Sequence, residues 1–175
     1  MPQFVAGQKI RASDLNAGQP LLARVASDVT TISNTTLINI TGLVVAVEAN
    51  STYAIDGWIF YQSPSAADIK LNVTLPSGAV CTMGAYGPPT TGAPFSGTSP
   101  RVNYLDMGVF ASSGGSYLHG GDTEFAGVWA SLRPAGVLVT SSTAGNLQFQ
   151  FAQNTSTATN TIVKAGSWLR LVKLA

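Results

Sequence analysis

The only histidine of the chain, His119, lies in "SYLHGGDTE", with Asp122 and Glu124 a few residues further on. One imidazole and two carboxylates are the right donors for a divalent cation. As a set they are short of ligands, and the two intervening glycines leave their spacing unfixed. The stretch reads as a polar loop rather than a metal centre. Ser113 and Ser116 stand close to the same histidine, but "G-x-S-x-G" is absent and no acid is placed to orient the imidazole. No glycine-rich phosphate cradle follows a strand pattern. Asp56, Asp68 and Asp106 fall in separate runs, and nothing in the sequence marks two of them as the facing pair that glycoside hydrolysis needs. The single cysteine, Cys81 in "GAVCTMG", excludes an internal disulfide and a cysteine-based zinc site, and reads as a small buried apolar residue. The sequence therefore points to a protein that is not an enzyme, with no catalytic residue, no metal and no cofactor.

Residues of this kind are positioned by strands. "ADIKLNVTL" (67–75) alternates with Ile69, Leu71, Val73 and Leu75 inward and Asp68, Lys70, Asn72 and Thr74 outward. "TYAIDGWIFYQ" (52–62) sets Tyr53, Ile55, Gly57, Ile59 and Tyr61 on one face and Ala54, Trp58 and Phe60 on the other, the mark of a central strand. With "LVVAVEA" (43–49) across "NS", it suggests a hairpin. Further runs are "DVTTIS", "TLINIT", "AVCTMGAY", "RVNYLDMGVF" (101–110), "EFAGVWASLR" (124–133), "GVLVTS" (136–141), "LQFQFAQ" (147–153) and "TIVKAGSWLRLVKL" (161–174). Turn signals about every 8–12 residues suit an all-β sandwich.

At 175 residues the chain is most simply one domain able to bury a large core. Charged residues are only 10% and net charge is +1, with no basic cluster, so nucleic acid is not an expected partner. So low a charge content means a hydroxyl- and amide-rich surface, or one covered by neighbouring subunits. No apolar run reaches the roughly 18 residues of a membrane span, and no export signal opens the sequence. Without one, the Asn-x-Ser/Thr triplets at Asn34, Asn39, Asn50, Asn72 and Asn154 read as a by-product of high Asn and Thr content.

Between residues 84 and 121 the composition turns to Gly, Pro and Ser in "GAYGPPTTGAPFSGTSP" and "ASSGGSYLHGGD". Loops on a rigid sandwich commonly carry recognition. Tyr86, Phe95, Tyr104, Tyr117 and His119 are the candidate surface recognition residues there; the plainer alternative is that the aromatics plug the end of the sandwich.

Residues 1–20 form a differently composed piece ahead of the 21–175 sandwich. In "FVAGQKIRASDLNAGQP", Ser13 caps a helical turn, Asp14 favours its N-terminal end, and Gly18 and Pro20 stop it. One such turn is not stable alone. Phe4, Val5, Ile10 and Leu15 need something to dock on, either the chain's own sandwich or another protein; the second makes the segment an anchor.

"FVAGQKIRASDLNA" resembles the leader of many bacteriophage tail and other virion proteins, especially of phages infecting actinobacteria. Those leaders run aromatic-x-Ala-Gly-x-x-Leu/Ile-x-Ala-x-x-Leu-Asn, matched here by Phe4, Ala6, Gly7, Ile10, Ala12, Leu15 and Asn16. "ADIKLNVTLPSGA" and "AGNLQFQFAQNTSTATNTIVKAGSWLRLVKLA" are similar to segments of small phage virion proteins. The strand order, ending in "LQFQFAQN" and "GSWLRLVKL", is similar to trimeric jelly-roll heads of the tumour-necrosis-factor and complement type. That similarity implies a jelly-roll β-sandwich, a homotrimer, and Trp168, Leu169 and Leu171 in or beside the core.

The resulting expectation is a virion structural protein at the particle surface, a minor tail, tail-tip or fibre component touching the host, held by its N-terminal segment to tail or major capsid proteins. Capsid decoration is the alternative location. A carbohydrate-binding module is the alternative class, with a host surface glycan as partner, although Trp58, Trp129 and Trp168 lie in strand patterns rather than loops.

Overall fold

The structure is a computed structural model that describes residues 6, 7, 9, 19–88, 104–111, 117–121 and 129–174, with the backbone alone for 104–111 and 117. The expected helical turn and Phe4, Val5, Ile10, Leu15 and Phe95 lie outside the described residues.

The chain order is β1 (Leu21–Arg24), β2 (Val29–Thr31), β3 (Ile38–Val47), β4 (Thr52–Gln62), β5 (Ile69–Thr74), β6 (Val80–Gly87), β7 (Tyr104–Ala111), β8 (Tyr117–His119), β9 (Ala130–Val139), β10 (Gly145–Gln153), β11 (Thr161–Val163) and β12 (Trp168–Lys173). The larger sheet runs β1-β12-β4-β9-β6-β7, with β11 and β2 attached beside β4; the smaller runs β3-β10-β5-β8. All pairings are antiparallel. Successive strands cross between sheets in the order of a jelly roll, with the β6–β7 hairpin inserted between β5 and β8 to widen the larger sheet. The all-β sandwich expected from the alternating runs is what forms.

The core lies between the sheets. Tyr53, Ile55, Ile59 and Tyr61 of β4 meet Ile69, Leu71 and Val73 of β5 and Leu147, Phe149 and Phe151 of β10, all buried. Leu169 and Leu171 of β12 join them.

Several local expectations change. β3 and β4 are not a hairpin: β3 pairs with β10, whereas β4 pairs with β12 and β9. The 48–51 stretch is a corner between sheets. It is tied to the end of β9 by Ser51 N donating to Thr140 Oγ1 (2.9 Å) and Thr140 Oγ1 donating to the Glu48 carbonyl (2.7 Å). "TLINIT" and "LVVAVEA" are one strand rather than two. Its buried residues change parity between Ile40 and Leu43, at a bulge where Gly42 has φ +93°. The Gln148 side-chain amide stitches this bulge by donating to the Ile40 and Leu43 carbonyls, both at 3.1 Å. A Cβ on Gly42 would run into the Arg24 carbonyl, so β1 crosses the bulge where only glycine fits.

The runs at 130–133 and 136–139 are also one strand, β9, passing through Pro134. Pro134 faces Ala85 of β6, and the β4 ladder resumes on either side of it at Asp56↔Ala135 and Ile59↔Leu132. The C-terminal run, in contrast, divides at a turn with Gly166 at φ +89° into β11 and β12. Tyr117–His119, expected in a loop, is strand β8 on the edge of the smaller sheet.

Candidate interaction surface

Residues of one parity on β4, β9, β12 and β6 point away from the core and form the outer face of the larger sheet. The registers order them in rows. At one end Val139 lies beside Thr52 and Val80; next come Val137 with Ala54, Val172 and Thr82. The middle row holds Asp56, Arg170, Ala135 and Gly84. Then Trp58 lies opposite Trp168, and Tyr86 lies opposite Arg133. Phe60 and Trp129 follow towards the far end. This gradient, valine to aromatic, comes from period-2 alternation acting on strands that carry apolar residues at both parities.

The aromatics are open to solvent: Trp58 is 38% exposed, Tyr86 49% and Trp129 50%. Trp58 and Phe60 stack with ring centres 6.1 Å apart. Cations cover two of the indoles. The Arg133 guanidinium stands 5.8 Å from the Trp58 ring centre, and Lys164 Nζ stands 5.0 Å from that of Trp129. Arg170 binds Asp56 through two bonds of 2.9 Å, and this carboxylate holds the guanidinium above its usual range. Lys164 is paired with Asp28, whose carboxyl lies below its ordinary value because of that hydrogen bond and one from the Ala165 N–H.

The aromatic end of this face is also where residues 89–103 and 122–128 join the sandwich, whereas 112–116 leave β7 at Ala111, opposite Val80 at the valine end. Pro88 accepts a hydrogen bond from Gly120 N (2.9 Å), bringing together the points where residues 89–103 and 122–128 depart. Both stretches return at the same end, at Tyr104 opposite Gly87 and at Trp129 beside the Ala130–Tyr61 pair. Two further bonds fix the junction: Tyr61 Oη donates to the Gly120 carbonyl (2.6 Å), and Gly121 N donates to Asp68 Oδ1 (2.8 Å). Burial there raises the Asp68 carboxyl, and the Gly121 bond offsets part of that shift.

Of the surface residues expected from sequence, Tyr86 sits on the outer face. Tyr104 begins β7 and Tyr117 begins β8, with their side chains outside the described residues. His119 is not at the surface: it is wholly buried against Gly87, where a Cβ would come within 2.8 Å of its Nδ1. Its alternation in β8 turns it inward, and Asp122 and Glu124 lie outside the described residues. Trp168 also differs from expectation, because it shares the outer parity with Arg170 while Leu169 and Leu171 face the core. The grouping of Trp58, Trp129 and Trp168 on one face was not foreseen. Parity with Asp56, Arg133 and Arg170 is the available signal, since a charged residue two or four positions away in a strand marks the solvent side.

Among the described residues no three His, Cys, Asp or Glu side chains gather as a metal site requires. Chemically the face offers planar apolar area, two cations over indoles and a neutralised ion pair, a surface for contact.

No protein-family model matches the sequence, and no curated protein matches it. Similar solved structures include a chain in the structure of infectious bursal disease virus, Gt strain, at 12% identity and TM-score 0.21, over 89% of this chain and 40% of that one. Another is a chain of the infectious bursal disease virus VP2 subviral particle, at 11% identity and TM-score 0.22, over 89% and 42%. The chain thus spans about two fifths of those proteins, and likeness at this level carries no conclusion about what the chain does.

Proposed function

We propose that this chain is a non-enzymatic structural protein of a bacteriophage particle: a homotrimeric jelly-roll head, held by residues 1–20 and displayed at the particle surface as a tail-tip, fibre or other host-contacting component. The observation that carries the reading is where the sandwich starts. β1 enters the larger sheet at Leu21, pairing with Leu171. The described core begins at Ala23, directly behind a segment whose residues follow the phage leader pattern. In this reading Phe4, Val5, Ile10 and Leu15 dock on a tail or major capsid protein, and the sandwich is the cargo. Capsid decoration uses the same parts at a different address.

The test is mass spectrometry and antibody labelling of purified particles of the phage encoding the chain. Stoichiometric presence and labelling at a defined site on intact particles are expected. Recovery in the soluble lysate with none in the particles would contradict the proposal.

The alternative class is a saccharide-binding module, which the half-exposed indoles of Trp58 and Trp129 would serve only where Arg133 and Lys164 leave a ring face open. A host surface glycan would then be the partner.

A further inference from the structure

The two outer faces of the sandwich differ in kind. That of the smaller sheet carries Asn39, Thr41, Lys70, Thr74, Gln148 and Gln150, with Val44 and Leu118 as scattered exposed apolar residues among them, an ordinary solvated surface. That of the larger sheet carries Val80, Val137, Val139, Trp58, Tyr86 and Trp129, all exposed. With aromatic side chains at about 150–250 Å² each, these six leave on the order of 500 Å² of apolar area open. A monomer's largest apolar patch is about 300–600 Å², and a stable interface takes about 800 Å² per partner. The valine and aromatic ends, with the Asp56–Arg170 row between them, together supply more than half of what one side of an interface needs. Half-buried Phe60, Trp168 and Val172 adjoin them.

We infer that this face is buried against another copy of the same chain, so that the protein assembles as a closed homo-oligomer through the outer surface of its larger sheet. The inference rests on the homo-oligomer part of the function proposed above and assigns the surface that makes it. Charge favours a second copy over other occupants. Asp56 and Arg170 neutralise each other at the centre of the face, which leaves Arg24 and Arg133 as isolated cations, short of the basic cluster that an anionic surface or nucleic acid needs. A saccharide is disfavoured because it stacks on open ring faces. Here Arg133 and Lys164 already stand over Trp58 and Trp129. The valine end offers a sugar no hydrogen bond. Valine and aromatic surface of this kind is instead what a contact between copies of one chain buries.

The test is light scattering of the full chain after size exclusion, over a dilution series through micromolar concentration. It compares the native protein with Val137→Lys and Val139→Glu, two outward substitutions that avoid the core. Val44→Lys, exposed on the opposite sheet, is the control. The native chain and V44K are expected at the same multiple of the chain mass. V137K and V139E are expected to melt cooperatively but to dissociate at concentrations at least a hundredfold higher. A native protein that is a single chain at micromolar concentration overturns the inference, whether or not it then binds an immobilised glycan. So does full native mass in whichever of the two variants retains cooperative melting. Neither result bears on whether the chain is found in particles, so the virion reading fails or stands separately.

Discussion

Cys81 faces inward from β6, and burial pushes its thiol from an ordinary 9.0 up to about 12. Because the folded state holds the proton more tightly, this group's contribution to stability is complete below pH 9.0 and is lost as pH rises through about 12. In the native protein at pH 8, iodoacetamide should leave Cys81 unmodified for hours, with stoichiometric alkylation once urea unfolds the chain. Rapid native alkylation would put β6 out of register. Asp28 has the opposite sign: its lowered pKa adds stability above the ordinary carboxylate value, and that stability is lost as pH falls through the folded value. Asp28→Asn should therefore flatten the acid limb of a melting-temperature profile while changing the neutral plateau little. At the core, Phe149→Ala should cost about 3–5 kcal/mol. Trp168→Ala should cost clearly less, because Trp168 lies on the outer face; equal losses in urea melts would place both in the core. Residue roles were legible where one alternation governed a run, as with Ile69, Leu71 and Val73. They were missed where similarity to a fold family overrode parity as the guide, as with Trp168. For His119, glycine-rich neighbours hid a three-residue strand.

At the scale of elements, the alternating runs gave the strands and the sandwich, but pairing partners lay beyond them. The "NS" between 49 and 52 looks like a hairpin turn because turn residues report a reversal of direction and not which sheet the chain enters. What makes it a corner is Thr140, brought from the end of β9 and invisible in local sequence. Thr140→Val keeps the volume but strands Ser51 N and removes the bond to Glu48. It should lower stability by about 1–3 kcal/mol, read as a lower urea midpoint at unchanged slope. An unaffected midpoint would mean that the corner is held by its own strands. Likewise Pro134 and Gly42 read as breaks between strands. Pro134 is carried through β9 while the β4 ladder resumes on both sides, and Gly42 is absorbed by a bulge under the Arg24 carbonyl.

For the whole molecule the account is a head and its attachment. Full burial of Phe4, Val5, Ile10 and Leu15 in a partner would contribute roughly 1.5–3 kcal/mol per side chain. Ordering the segment would cost about 1–2 kcal/mol per residue, so one copy would bind only modestly. In the proposed assembly several copies on one oligomer would multiply that affinity if the docking sites matched their spacing, which would tie attachment to the apolar face of the larger sheet. The most direct measurement is deletion of residues 2–18, leaving β1 intact, with melting temperature and particle incorporation measured on the same variant. The account predicts a domain that melts as the full chain does and is absent from purified particles. A truncated domain that unfolds, or one incorporated as efficiently as the full chain, would contradict it.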